Sequence, residues 1–205
     1  MEQRALLTGS YIETEVEILQ ISRKLSFDGF FFFVYNKYMS ETELSKNFKI
    51  GEDVFYPSVG LCSVIKKEDR NGRNYLKLSA LSQDSIILLP EDNALTLGLR
   101  HLTDRDELVS ALRTLSDDSG DEDREWKHRV EKNTARLKEG TPLSICKVVS
   151  TLYRRSKMKE LPTVEKKLYD NALVMLVDEA SSVLKKSEEE VRKLVFSYLE
   201  GFAGI

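Results

Sequence analysis

Near Leu102 the spacing of apolar residues changes period, and that change dictates two kinds of structure in one chain. Between Phe48 and Leu102, short β-rich runs alternate with turn residues: DVFYP, GLCSVIKKED, RNYLKLSAL, SIILLP and LGLRHL. Asn71-Gly72 separates the second run from the third, and both residues tolerate the positive φ that a type I′ hairpin turn requires. Strands this short and this closely spaced bury their alternate faces only by curling on one another, which predicts a small β-barrel.

Beyond Leu102 the spacing is helical. Thr103 with Asp106 forms a capping-box variant that opens a helix carrying Leu108, Val109, Leu112 and Leu115. The run SDDSGDED breaks it, and a second helix is expected from Asp121 to Asp123 onward, ending at Gly140. Thr141-Pro142 reads as N-cap and first-turn proline of a third helix, LSICKVVSTLYRR. Pro162 starts a fourth with Val164, Leu168, Ala172, Met175 and Leu176 on its apolar face; Ser187 and Glu190 cap a fifth carrying Val191, Leu194, Val195 and Tyr198. The expected fold class is therefore α+β in two domains, a small β-barrel over residues 46–102 followed by a compact five-helix bundle over 103–205. Residues 1–45 form an extension in which the aromatics of FFFFVY, Phe30 to Tyr35, have no evident packing partner, and Met39 is a candidate native start.

Composition closes off several classes of function. Cys62 and Cys146 are far apart and lie in no C-x-x-C or clustered histidine pattern, so neither a disulfide framework nor a zinc site is expected. The longest apolar run falls well short of the roughly 20 residues of a membrane helix, so the expected location is the cytoplasm. There is no phosphate-cradling glycine loop, no G-x-S-x-G elbow and no H-E-x-x-H. His101 and His128, the only histidines, read as ordinary surface residues, and neither enzymatic activity nor a metal or cofactor is expected.

The net charge of −3 conceals a division along the chain. Residues 104–125 are strongly acidic, whereas residues 126–170 carry twelve Lys/Arg against five acids. The only tryptophan, Trp126, stands where the sign changes, in DSGDEDREWKHRVEKN. Periodicity places Trp126 on one stripe with Val130 and Leu137, which makes it a core residue. Its position in the first turns of the helix, with Arg129 three residues on, points instead to the edge of the bundle. Lys127, Arg129, Lys132, Arg136, Arg154, Arg155, Lys157, Lys159, Lys166 and Lys167 come from three helices. The helix dipole accounts for Arg154 and Arg155 at a C-terminal end but not for Lys166 and Lys167 near an N-terminal one. Brought together, these cations would form a phosphate-binding surface with one aromatic at its rim, suited to the minor groove of DNA.

The segments FKIGEDVFYPSVGLCSVI, YLKLSAL, LLPEDN and GLR resemble the RNA-polymerase-interacting domain of the CarD/CdnL family of bacterial transcription regulators. EWKHRVEKNTARLKEG, KVVSTLYRRSKMKELPTVEKKLYDNA and LVDE resemble that family's helical DNA-binding domain, so that the likeness covers residues 46–185. It implies a Tudor/SH3-like barrel that docks on the β subunit of RNA polymerase, and a helical domain that touches promoter DNA at the upstream edge of the melted region. Trp126 corresponds to the family's minor-groove wedge, with Lys127, Arg129, Arg154, Arg155, Lys166 and Lys167 as DNA contacts. Where some members carry a polymerase-contacting arginine this chain has Leu88, so docking is expected to rest on Arg70, Arg73, Ile86, Ile87 and the strand edge at Leu88. The expected protein is a monomeric, nucleoid-associated regulator that stabilises the promoter open complex with little sequence specificity. The competing expectations are a polymerase-docking adaptor without DNA contact, in which Trp126 is core, and a general nucleoid-binding protein.

Overall fold

The computed structural model describes residues 48–57, 59–117 and 125–201. The extension 1–45 with its phenylalanine run, the candidate start at Met39 and the expected helix start at 121–123 lie outside the described residues. Five strands, β1 (Asp53–Tyr56), β2 (Gly60–Arg70), β3 (Arg73–Ala80), β4 (Ile86–Pro90) and β5 (Arg100–His101), precede five helices. These are α1 (Arg105–Arg113), α2 (Trp126–Glu139), α3 (Pro142–Met158), α4 (Thr163–Leu184) and α5 (Glu188–Leu199). The architecture is α+β, as the change of period predicts.

All strand pairs are antiparallel, in the order β4-β3-β2-β1-β5, so a four-strand meander is completed by a short fifth strand that returns beside β1. Asn71 and Gly72 adopt φ of 55° and 77°, the left-handed pair expected of the β2–β3 turn. The register of this hairpin shifts between Val64 and Lys66, leaving Ile65 as the extra residue of a bulge and 42% exposed. A bulge bends and twists its strand, and Cys62 and Val64 of β2 share one buried cluster with Val54, Leu76, Leu78 and Leu89. Pro90 sits on edge strand β4, where no ladder partner needs its missing N–H.

Neighbouring residues of β1 serve two cores. Val54 is packed among the sheet residues and Phe55 among those of the helices, and both are wholly buried. Strand alternation explains this: successive side chains leave opposite faces, and a strand covered on both sides must be apolar on both. Arg100 on β5 reinforces the seam. Its guanidinium lies 4.1 Å from the centre of the Phe55 ring. It also donates to both carboxylate oxygens of Glu179 on α4 at 2.6 and 2.8 Å, and to the Gly140 carbonyl at 3.0 and 2.7 Å. Gly140 ends α2 at φ 67°, and a Cβ there would stand 2.5 Å from Cγ of Pro57.

The helix ends follow local chemistry. Thr141 accepts from the Ser144 amide with Pro142 in the first turn, and Ser187 and Glu190 complete a reciprocal capping box. For α1 the cap is Asp104 rather than Thr103: its carboxylate accepts from the Asp106 and Glu107 amides at 2.9 Å each, a stronger charged acceptor one residue later. Burial pushes both cysteine thiols up, Cys62 to about 11 and Cys146 to about 12, which leaves them protonated and unreactive near neutral pH.

Candidate nucleic-acid interface

Two helices begin side by side, and among the described residues neither start has a side-chain cap. Trp126 is the first residue of α2, and neither Glu125 before it nor Pro162 before α4 provides a side-chain cap. Between these helix starts lies a groove of about 370 Å³ lined by Trp126 and Val130 from α2 and by Pro162, Thr163, Val164 and Glu165 from the start of α4. The indole of Trp126 is 51% exposed and Val164 50% exposed. Trp126 is thus a rim residue and does not fill the bundle core. Val164, expected on the inward face of its helix, is likewise at the surface, whereas Glu165 beside it in the same turn is wholly buried.

Beneath the rim, three helices converge on one carboxylate. Glu165 is wholly buried and accepts from Nε of Arg129 at 2.8 Å and from Nη2 at 3.3 Å. Nε of Arg155, in the last turn of α3, lies 3.5 Å from the second oxygen of the same carboxylate. Arg129 is only 3% exposed. The expectation that Arg129 stands on the surface as a phosphate contact is therefore corrected: its face of α2 points inward, and Glu165 neutralises it there. Arg155 remains 30% exposed in its side chain and reaches the site from the rim.

The remaining cations divide. Lys127, Lys166 and Lys167 are exposed, and all three belong to the first turns of α2 and α4 that frame the groove. Arg154 instead donates through Nη2 to the Leu115 carbonyl at 2.9 Å, on the 3-10 turn that follows α1. It is held on another side of α3 from Arg155, as consecutive helical positions must be. Lys157, exposed at the end of α3, is held over the Tyr153 ring at 4.8 Å; hydrogen bonding to that tyrosine hydroxyl moves its pKa upward.

On the sheet, Ile86 of edge strand β4 is 57% exposed, whereas Ile87 and Leu88 are half-buried. Exposed Arg70 pairs with Glu68 at 2.9 Å, and Arg73 makes a forked contact with Asp92. The Arg73 fork holds the Asp92 carboxyl below its ordinary range. Such exposed pairs are weak and exchange readily for other partners.

Glu165 is the residue that sequence reasoning missed. Its signal was faint, a single acid beside Lys166 and Lys167 in LPTVEKKLYD, indistinguishable by spacing from a solvated first-turn glutamate. Among the described residues no group of three His, Cys, Asp or Glu side chains could hold a metal ion, and no helix is long and apolar enough to cross a membrane.

Residues 110–196, from α1 through most of α5, match the family described as CarD, C-terminal domain. The protein YdeB of Bacillus subtilis (strain 168), named for a role as a transcription factor, is 26% identical over 149 residues. That alignment covers 71% of this chain and 97% of the relative.

Proposed function

From the premise that the chain belongs to the CarD/CdnL family of transcription regulators, we propose that it stabilises the promoter open complex by touching both RNA polymerase and DNA. The sheet docks on the polymerase β subunit along β4, whose outer edge has no strand beside it among the described residues and whose Ile86 projects to solvent. The Trp126 indole enters the minor groove at the upstream edge of the melted region. Lys127, Lys166, Lys167 and Arg155 meet the flanking phosphates, and the positive ends of the α2 and α4 dipoles lie at the same place. The observation that carries this reading is the half-exposed indole beside an apolar groove and between exposed lysines. The competing adaptor reading expects Trp126 in the core, and its exposure favours the DNA-contacting one.

The effect on promoter opening follows from linkage. A protein that binds melted promoter DNA more tightly than closed DNA shifts the equilibrium by the ratio of the two affinities. A tenfold shift needs only about 1.4 kcal/mol, within reach of one inserted aromatic after unstacking is offset. The minor groove distinguishes mainly A·T from G·C, so promoter preference follows deformability more than sequence. Trp126→Ala tests the proposal: polymerase binding should persist while the open complex dissociates about tenfold faster. An unchanged open-complex lifetime would remove the indole from the mechanism.

A further inference from the structure

We propose that Arg129 and Glu165, joined from the rim by Arg155, are positioning residues that set where the Trp126 indole stands, so that a buried Arg129–Glu165 ion pair out of reach of DNA controls the lifetime of the promoter complex. The inference rests on the reading of Trp126 as the inserting residue. Trp126 occupies the first position of α2, where a helix has amides without intrahelical partners and frays most readily, and the Glu125 side chain before it provides no cap. The next fixed point along the same face is Arg129, three residues on. Its guanidinium is anchored to Glu165 through two nitrogens at 2.8 and 3.3 Å, with Arg155 bringing α3 to the same carboxylate at 3.5 Å. Glu165 in turn stands in the first turn of α4 and lines the groove between Trp126 and Val164. One carboxylate thereby fixes both walls of the groove.

Cohesion alone does not call for this arrangement. A buried ion pair is commonly no more stabilising than apolar side chains of the same volume, and its best-attested use is to specify one geometry. Guanidinium and carboxylate meet in a planar fork that admits one relative orientation, whereas methionines in their place would pack in several. Lysine keeps the charge of arginine but not the fork.

The test uses the full chain, in which Trp126 is the only tryptophan and reports on itself. Three variants are compared with the native protein: Arg129→Lys, the apolar pair Arg129→Met with Glu165→Met, and Val195→Ala as a destabilised control whose change lies in the core of α5. Time-resolved fluorescence anisotropy of the free protein measures local motion of the indole, thermal melting measures stability, and open-complex lifetime is read with polymerase and promoter. Arg129→Lys and the apolar pair should enlarge the fast anisotropy decay and shorten the lifetime by about tenfold, the scale on which small misplacements act. The apolar pair should do so with a melting temperature near that of the native protein, and Val195→Ala should melt earlier with its indole unchanged. An indole as rigid in both network variants as in the native protein would overturn the proposal, as would equal loosening by Val195→Ala. A loosened indole with an undiminished lifetime would support the network and refute instead the role given to Trp126 in the complex.

Discussion

Replacing Arg100 by methionine should cost this protein a large share of its stability. The guanidinium bonds both oxygens of Glu179 at 2.6 and 2.8 Å, the Gly140 carbonyl twice, the Thr103 hydroxyl at 3.2 Å and the His101 carbonyl at 3.1 Å, while its face covers Phe55. Methionine restores part of the contact with the ring and none of the hydrogen bonds. Glu179, wholly buried, then keeps the Thr103 amide at 3.2 Å but has lost its countercharge. Breaking a buried pair from one side costs about 3–5 kcal/mol, because the stranded charge cannot recover its hydration. Native domains have only about 5–15 kcal/mol in total. For a folded unit of this size each kcal/mol corresponds to about 2–4 °C, so Arg100→Met should melt roughly 6–20 °C below the native protein. Urea titration should show the midpoint falling with an unchanged slope, the signature of lost stability rather than a changed unfolded state. Adding Glu179→Met should recover most of the loss, since apolar replacement of both partners is often near neutral. A single variant within about 1 kcal/mol of native, or a double variant no better than the single, would refute the view that the stranded carboxylate is the source of the cost.

Gly140→Ala should destabilise the fold by at least about 2 kcal/mol, since the left-handed backbone costs about 1–2 kcal/mol and the added methyl meets Pro57. Gly72→Ala, at φ 77° with open space around it, should incur the backbone cost alone; equal losses in chemical denaturation would contradict the packing account. Asp178 lines the cleft between sheet and helices, and burial raises its carboxyl, an effect that a hydrogen bond from Ser82 partly offsets. Between the ordinary carboxylate range and that raised value the folded state binds more protons than the unfolded one, so this group's contribution to stability falls as pH rises through the window. Asp178→Asn should flatten that slope and leave the protein more stable at neutral pH, as melting curves across pH can check. Ile86→Lys should weaken capture of RNA polymerase while leaving melting temperature within a degree or two, because the side chain is exposed on an edge strand; retained capture would exclude β4 as the docking edge.

Local chemistry was legible without coordinates wherever a few neighbouring residues suffice to decide it. Asn71-Gly72 can only be a tight turn, Thr141-Pro142 and Ser187-Glu190 write their own helix starts, and the switch from alternating to helical spacing at Leu102 separates strands from helices. These are short-range effects of sterics and hydrogen bonding within about one turn of chain. The cap of α1 shows the limit even here: Thr103 and Asp104 are both competent, and geometry chose the residue with the charged acceptor.

What spacing alone left open was which side of a half-apolar residue faces another element. Trp126 and Val164 have the periodicity of core residues and stand exposed on the rim of the groove, while Arg129 and Glu165 in the same first turns face inward. Arg129 has the composition of a surface residue and is buried, because Glu165, thirty-six residues away in sequence, arrives beneath it. Phe55 and Arg100 fasten the sheet to the helices through partners still more remote along the chain, Glu179 lying 79 residues from Arg100. Charge neutralisation and burial depend on distance in space, and a linear pattern carries that information only after the helices have packed.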